Sequence, residues 1–188
     1  MKNILISKTV LSVLLAGSVM SASAIEQDGT ISFKGYIYNA TCSIDINNSN
    51  SPNADVDMGR YPTSAFTKHG DEVGGEGKNG SLDISLTDCP EKGKVKLQLK
   101  GKPKGNSDSL LELDNPQSPK TAKNIGIVLY DREDMSTDII INGSVTKEYD
   151  VSSGAEWHAS YVAKYYSTAD NVEAGQADAT LNYTLSYN

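Results

Sequence analysis

Apolar and polar residues alternate along most of this chain. Ile31, Phe33, Gly35 and Ile37 interleave with Ser32, Lys34 and Tyr36. Leu82, Ile84 and Leu86 interleave with Asp83, Ser85 and Thr87, and Val95, Leu97 and Leu99 with Lys94, Lys96, Gln98 and Lys100. A period of two places one set of side chains on a core face and the other in water, so each run predicts a strand. Residues 125–130 (Ile-Gly-Ile-Val-Leu-Tyr) are a short apolar run, which suits a more central strand. Residues 138–151 read as a hairpin about Asn142-Gly143, because Asn-Gly supplies the positive φ angles of a tight turn. Residues 157–166 predict an aromatic-rich strand. From Gly175 onward Ala177, Ala179, Leu181, Tyr183, Leu185 and Tyr187 alternate without a break with polar residues. Polar breaks at 47–53, 74–80, 103–108 and 115–120 separate the runs, and no long stretch carries a helical period. Short strands with regular polar breaks imply an antiparallel sandwich or barrel. The glycine-rich stretch 70–80 reads as a mobile loop.

The first 24 residues do not belong to this pattern. Lys2 and Lys8 precede an apolar stretch from Val10 to Met20, and Ala22-Ser23-Ala24 gives the small-x-small signature of a cleavage site. These residues are expected to be a removable secretory signal. Cleavage after Ala24 leaves 164 residues with 15 basic and 24 acidic side chains, a net charge of −9. That charge argues against nucleic acid or an anionic membrane surface as partner, since both need clustered Lys and Arg. No later run is long enough for a membrane span. The remaining chain is long enough for one core.

Export permits disulfides. Cys42 and Cys89 are the only cysteines. One bond between them would close a long loop; a metal site with His69 and His158 is the alternative, although close ligand pairs are lacking. His69 and His158 are the only histidines, so a nucleophile oriented by a base and an acid finds little support. Asp131, Glu133 and Asp134 miss the spacing of a calcium loop. No catalytic residue, cofactor or metal is expected. A strand with a free edge at the C-terminal side, and an alternating arm on the N-terminal side, both invite pairing with another chain.

Four features in order resemble the pilin subunits of chaperone–usher fimbriae, above all the type 1 major subunit. They are Gly29-Thr-Ile-Ser-Phe-Lys-Gly35 leading to Asn39-Ala-Thr-Cys42-Ser-Ile44; Leu86-Thr-Asp-Cys89; Gly126-Ile-Val-Leu-Tyr-Asp131 with Tyr161-Val-Ala-Lys-Tyr165; and the C-terminal alternation, with Gly175 fourteenth from the end and Tyr187 penultimate. The resemblance implies an all-β, incomplete immunoglobulin-like antiparallel sandwich completed by a donated strand. It implies a signal peptide at 1–24, a donor arm at 25–34 and a pilin domain at 35–188. Gly29, Ile31 and Phe33 would lie on the arm. Gly175, Ala177, Ala179, Leu181, Tyr183, Leu185 and Tyr187 would border the acceptor groove, and Cys42–Cys89 would pin the first strand. The partners implied are neighbouring pilin subunits, a periplasmic chaperone and an outer-membrane usher, and the place is a cell-surface fimbria reached through the periplasm. The competing readings are a self-contained secreted immunoglobulin-like binding module, in which residues 25–34 pair within their own chain, and a minor adaptor pilin.

Overall fold

The computed structural model describes Ser32 and residues 42–89, 92–152 and 156–187. The arm positions Gly29, Ile31 and Phe33 lie outside the described residues. The alternating runs form ten strands: β1 Ser43–Ile46, β2 Glu72–Val73, β3 Ser81–Thr87, β4 Lys92–Gly101, β5 Leu110–Leu111, β6 Ile125–Asp131, β7 Asp134–Asp138, β8 Asn142–Ser152, β9 Trp157–Ser167 and β10 Leu181–Tyr187. No α-helix occurs among the described residues. Every strand pair is antiparallel.

The strands make two sheets. The larger runs β1-β3-β9-β6-β5, with β2 also on β9 and β7 also on β6. The smaller runs β10-β4-β8. Position in the sheet follows composition. The apolar run of β6 lies inside the large sheet and its first five residues are buried. In β4 the apolar set, Val95, Leu97 and Leu99, is buried, while Lys94 and Lys100 on the other face are exposed. Ile84 and Leu86 of β3 point inward from the opposite sheet, both essentially inaccessible to solvent. The two inner faces thus form one sandwich core, as two half-buried alternating sheets must.

Two sequence expectations are corrected. The hairpin about Asn142-Gly143 does not form. Residues 134–138 pair with β6 in the large sheet, and β8 pairs with β4 in the small one. The intervening segment crosses between sheets: the Ile139 amide donates to Leu129, and the fully buried Ile141 exchanges backbone bonds with Gly101 and Asp108. Burying Ile141 outweighs the local turn preference. Gly143 keeps its positive φ of 80°, but uses it where the β4–β8 register shifts between Gln98 and Lys100. Second, the stretch 70–80 is anchored rather than loose. Glu72–Val73 pairs with β9, and the Asp71 carboxylate accepts from the Thr67 and Lys68 amides at 2.6 and 2.9 Å.

Cys42 and Cys89 are bonded, with Cα atoms 4.2 Å apart. The bond joins the residue before β1 to the chain just beyond β3, whose ladder with β1 runs from Ser43–Thr87 to Ile46–Ile84. Both cysteines are buried with Leu86, Val95 and Val151. This excludes the metal alternative. His69 stands edge-on to Tyr166 and His158 lies on the exposed face of β9, hydrogen-bonded to Ser85 and Glu156.

Candidate functional site

The two sheets do not close everywhere. Between the C-terminal strand and the stretch after β1 runs a groove of about 760 Å³. One wall is the segment 177–183. Ala177, Ala179, Leu181 and Tyr183 all line the groove, and all are half-buried, while their even-numbered neighbours are exposed. The other wall is 52–59. The floor is apolar, built from Ile46, Leu82 and Ile84, Leu99, and Leu111, Ile127 and Leu129.

Register explains why this wall is half-buried. β10 pairs along its length with β4, from Leu181–Gly101 to Tyr187–Val95. Among the described residues no strand pairs with its other edge. Just before β10, the Asp114 amide donates to the Asp178 carbonyl and the Ala122 amide to the Gln176 carbonyl. Backbone groups alternate in direction along an extended chain, so those of Ala177 and Ala179 point away from these partners. The Ala177 carbonyl accepts instead from the Tyr165 hydroxyl, a groove residue, at 3.2 Å.

The opposite wall carries its own unpaired backbone. In 54–58 the Asp57 carbonyl, which accepts from Gly80 at 2.7 Å, is the one backbone group hydrogen-bonded to a described residue. The sequence marks this wall only faintly. The signal was present: Ala54, Val56 and Met58 alternate with Asn53, Asp55 and Asp57. It is short and follows directly on a polar turn, which hides it. The walls meet at one end, where the Tyr183 hydroxyl donates to the Pro52 carbonyl at 2.7 Å. Burial pushes that hydroxyl up in pKa, which keeps it a donor.

The remaining residues of the C-terminal series have other places. Gly175 backs onto the 120–122 backbone, where a Cβ would lie 2.3 Å from the Ala122 nitrogen. Leu185 and Tyr187 pack against the disulfide cluster. Burial pushes the Tyr187 hydroxyl up, and a hydrogen bond with the Cys42 backbone pulls the other way. Ser85, His158 and Glu156 form a hydrogen-bonded row, but it lies open on the sheet face and touches neither groove wall.

The model of the fimbrial protein family matches residues 31–188. The chain belongs to the fimbrial protein family. A type-1 fimbrial protein subunit of Serratia marcescens is 32% identical over 183 residues, which span 92% of this chain and 96% of that protein. The S-fimbrial protein subunit SfaG of Escherichia coli O6:K15:H31 is 30% identical and covers 97% of both chains. Among solved structures, the P pilus rod subunit PapA superposes with a TM-score of 0.59 at 21% identity, over 79% of this chain and 100% of that one. The fold is therefore the immunoglobulin-like pilin sandwich. The family is structural and not enzymatic, so this fimbrial subunit is a building block that polymerises with other pilins in a cell-surface fimbria. No helix among its described residues is long and apolar enough to cross a membrane.

Proposed function

We propose that this fimbrial subunit polymerises by donor-strand exchange into the fibre shaft. After removal of residues 1–24, the arm 25–34 of one subunit enters the groove of the next. A periplasmic chaperone fills the groove first with a strand of its own, and the arm replaces it at the outer-membrane usher. The resulting contact is head-to-tail, so it does not close on itself and propagates a fibre.

The observation that carries this reading is the groove, whose facing walls pair with no strand among the described residues. A strand laid between 54–58 and the segment 177–183 would gain backbone partners on both sides and cover the apolar floor. Ile31 and Phe33 share one face of the arm, and Gly29, with no side chain, permits close approach on that face. Burying Ile31 and Phe33 supplies about 1.5–3 kcal/mol each. Each net backbone hydrogen bond adds about 0.5–1.5 kcal/mol.

The test is assembly of the chain 25–188 with and without residues 25–34, viewed by electron microscopy and on SDS gels of unheated samples. Fibres or SDS-resistant ladders from the full chain, and none from the truncated one, are expected. If both remain monomeric and cooperatively folded without a chaperone, the domain is complete in itself and the reading fails.

A further inference from the structure

The groove is electrically lopsided. Among the described residues four carboxylates line it, Asp55, Asp57, Asp114 and Asp178, and no Lys, Arg or His. Three of them accept hydrogen bonds, all from neutral donors: Asp57 from the Gly59 amide at 2.9 Å, Asp114 from the Thr180 hydroxyl at 2.9 Å, and Asp178 from the Gln176 amide at 2.6 Å. None forms an ion pair with a described residue. Asp57 and Asp178 come from opposite walls, yet both act on the Tyr165 hydroxyl, whose pKa is raised by burial and further by these two charges. That hydroxyl is bonded to Ala177. Two of these charges, Asp57 and Asp178, therefore sit at the Ala177 end. The other end, at Pro52, Asn53, Asn182 and Tyr183, is neutral.

The arm is lopsided in a matching way. Glu26 and Asp28 lie at its start and Lys34 at its close. From Asp28 to Lys34 the extended chain spans about 20 Å. The groove wall from Ala177 to Tyr183 has the same number of residues. That length exceeds the screening distance of about 8–10 Å at physiological salt, so each end acts by itself. Parity also matches. With Ile31 and Phe33 facing the floor, Asp28 and Lys34 face outward, as Asp178 and Asn182 do on the wall.

We propose that Lys34 of a neighbouring copy pairs with the acidic end of the groove, Asp178 foremost and Asp57 across from it, and so fixes which way the arm enters. This rests on the donor-strand reading. An arm running antiparallel to β10 brings Lys34 to the carboxylates and leaves Glu26 and Asp28 at the neutral end. The reverse direction sets Glu26 and Asp28 against Asp57 and Asp178. Opposite charges facing one another across strands favour pairing, and like charges oppose it.

The test uses the chain 25–188 with K34E, D178K and the double substitution K34E/D178K, scored by the rate of SDS-resistant oligomer formation. Each single substitution is expected to slow assembly about fivefold, the double to return it to within about twofold of the parent, and 1 M salt to erase the differences. Singles that match the parent, or a double as slow as the singles, overturn the pairing. Because Lys34 lies on the arm, K34E gives its answer even if D178K fails to fold, and D57N, expected to be about two- to threefold slower, is the second groove variant. A chain lacking 25–34 runs alongside. If it assembles like the parent, the donor-strand reading itself falls. If it does not assemble while K34E matches the parent, only the charge pairing falls.

Discussion

Breaking the Cys42–Cys89 bond is predicted to cost this domain about 4 kcal/mol. The cysteines are 47 residues apart. Closing a loop of that length removes chain entropy from the unfolded state worth about 4 kcal/mol at 25 °C. For a domain of this size each kcal/mol moves the melting temperature by about 2–4 °C, so the loss corresponds to about 8–16 °C. Two perturbations separate the sources of the effect. Reduction of the parent chain removes the bond and keeps the side-chain volume. The double substitution C42A/C89A removes both, and leaves space among Leu86, Val95 and Val151 in a tightly packed cluster. The substituted chain should therefore be the less stable of the two. Trp157 is a built-in reporter: it packs against the disulfide cluster and meets the Tyr149 ring at a tilt, with centroids 4.5 Å apart. Urea unfolding followed by Trp157 fluorescence gives both values. A loss below about 1 kcal/mol on reduction would refute the loop-entropy argument, since the loop length is fixed by the sequence.

Gly175→Ala should destabilise by about 1–3 kcal/mol, because the new Cβ would meet main-chain atoms of Lys120, Thr121 and Ala122 that cannot swing aside; an unchanged urea midpoint would show that this approach relaxes freely. Asp131 tests pH dependence. Burial works to raise its carboxyl, but the Lys147 ammonium at 2.7 Å and the Glu133 amide outweigh it, so the net pKa lies below the usual carboxylate range. A lowered folded-state pKa gives stability that is present above about pH 4 and is lost as pH falls through the folded value. Asp131→Asn should therefore cost about 0.5–1 kcal/mol at pH 7, and the gap between parent and variant should shrink as the pH falls below about 4. A gap that stays constant in paired urea titrations would contradict the assignment.

The strands were legible wherever one face is buried. Residues 82–86, 95–99, 125–130 and 157–166 all lie in strands, because alternation or an unbroken apolar run records burial directly. Partnership between strands was much less legible. Asn142-Gly143 promised a turn, but a local φ preference does not say which sheet receives the next strand; the buried Ile141 decides that. The C-terminal alternation places Ala177, Ala179, Leu181 and Tyr183 on one face, and all four line the groove. It could not show that Gly175 is held by the 120–122 backbone or that Leu185 and Tyr187 serve the disulfide cluster. The 54–58 wall was missed because an isolated short alternation needs a neighbour to be recognised. The resemblance to a family carried what no periodicity holds, namely the expectation that the strand completing the sandwich comes from another molecule.

The pairing of β10 with β4 also governs when the domain can form. Leu181, Leu185 and their neighbours on this strand touch all three clusters of the core. In a chain emerging from its N-terminal end the large sheet waits for its middle strand β9, and the small sheet has no second edge until β10 arrives about eighty residues after its partner. Such distant pairing slows folding. The domain therefore closes only once β10 is in place.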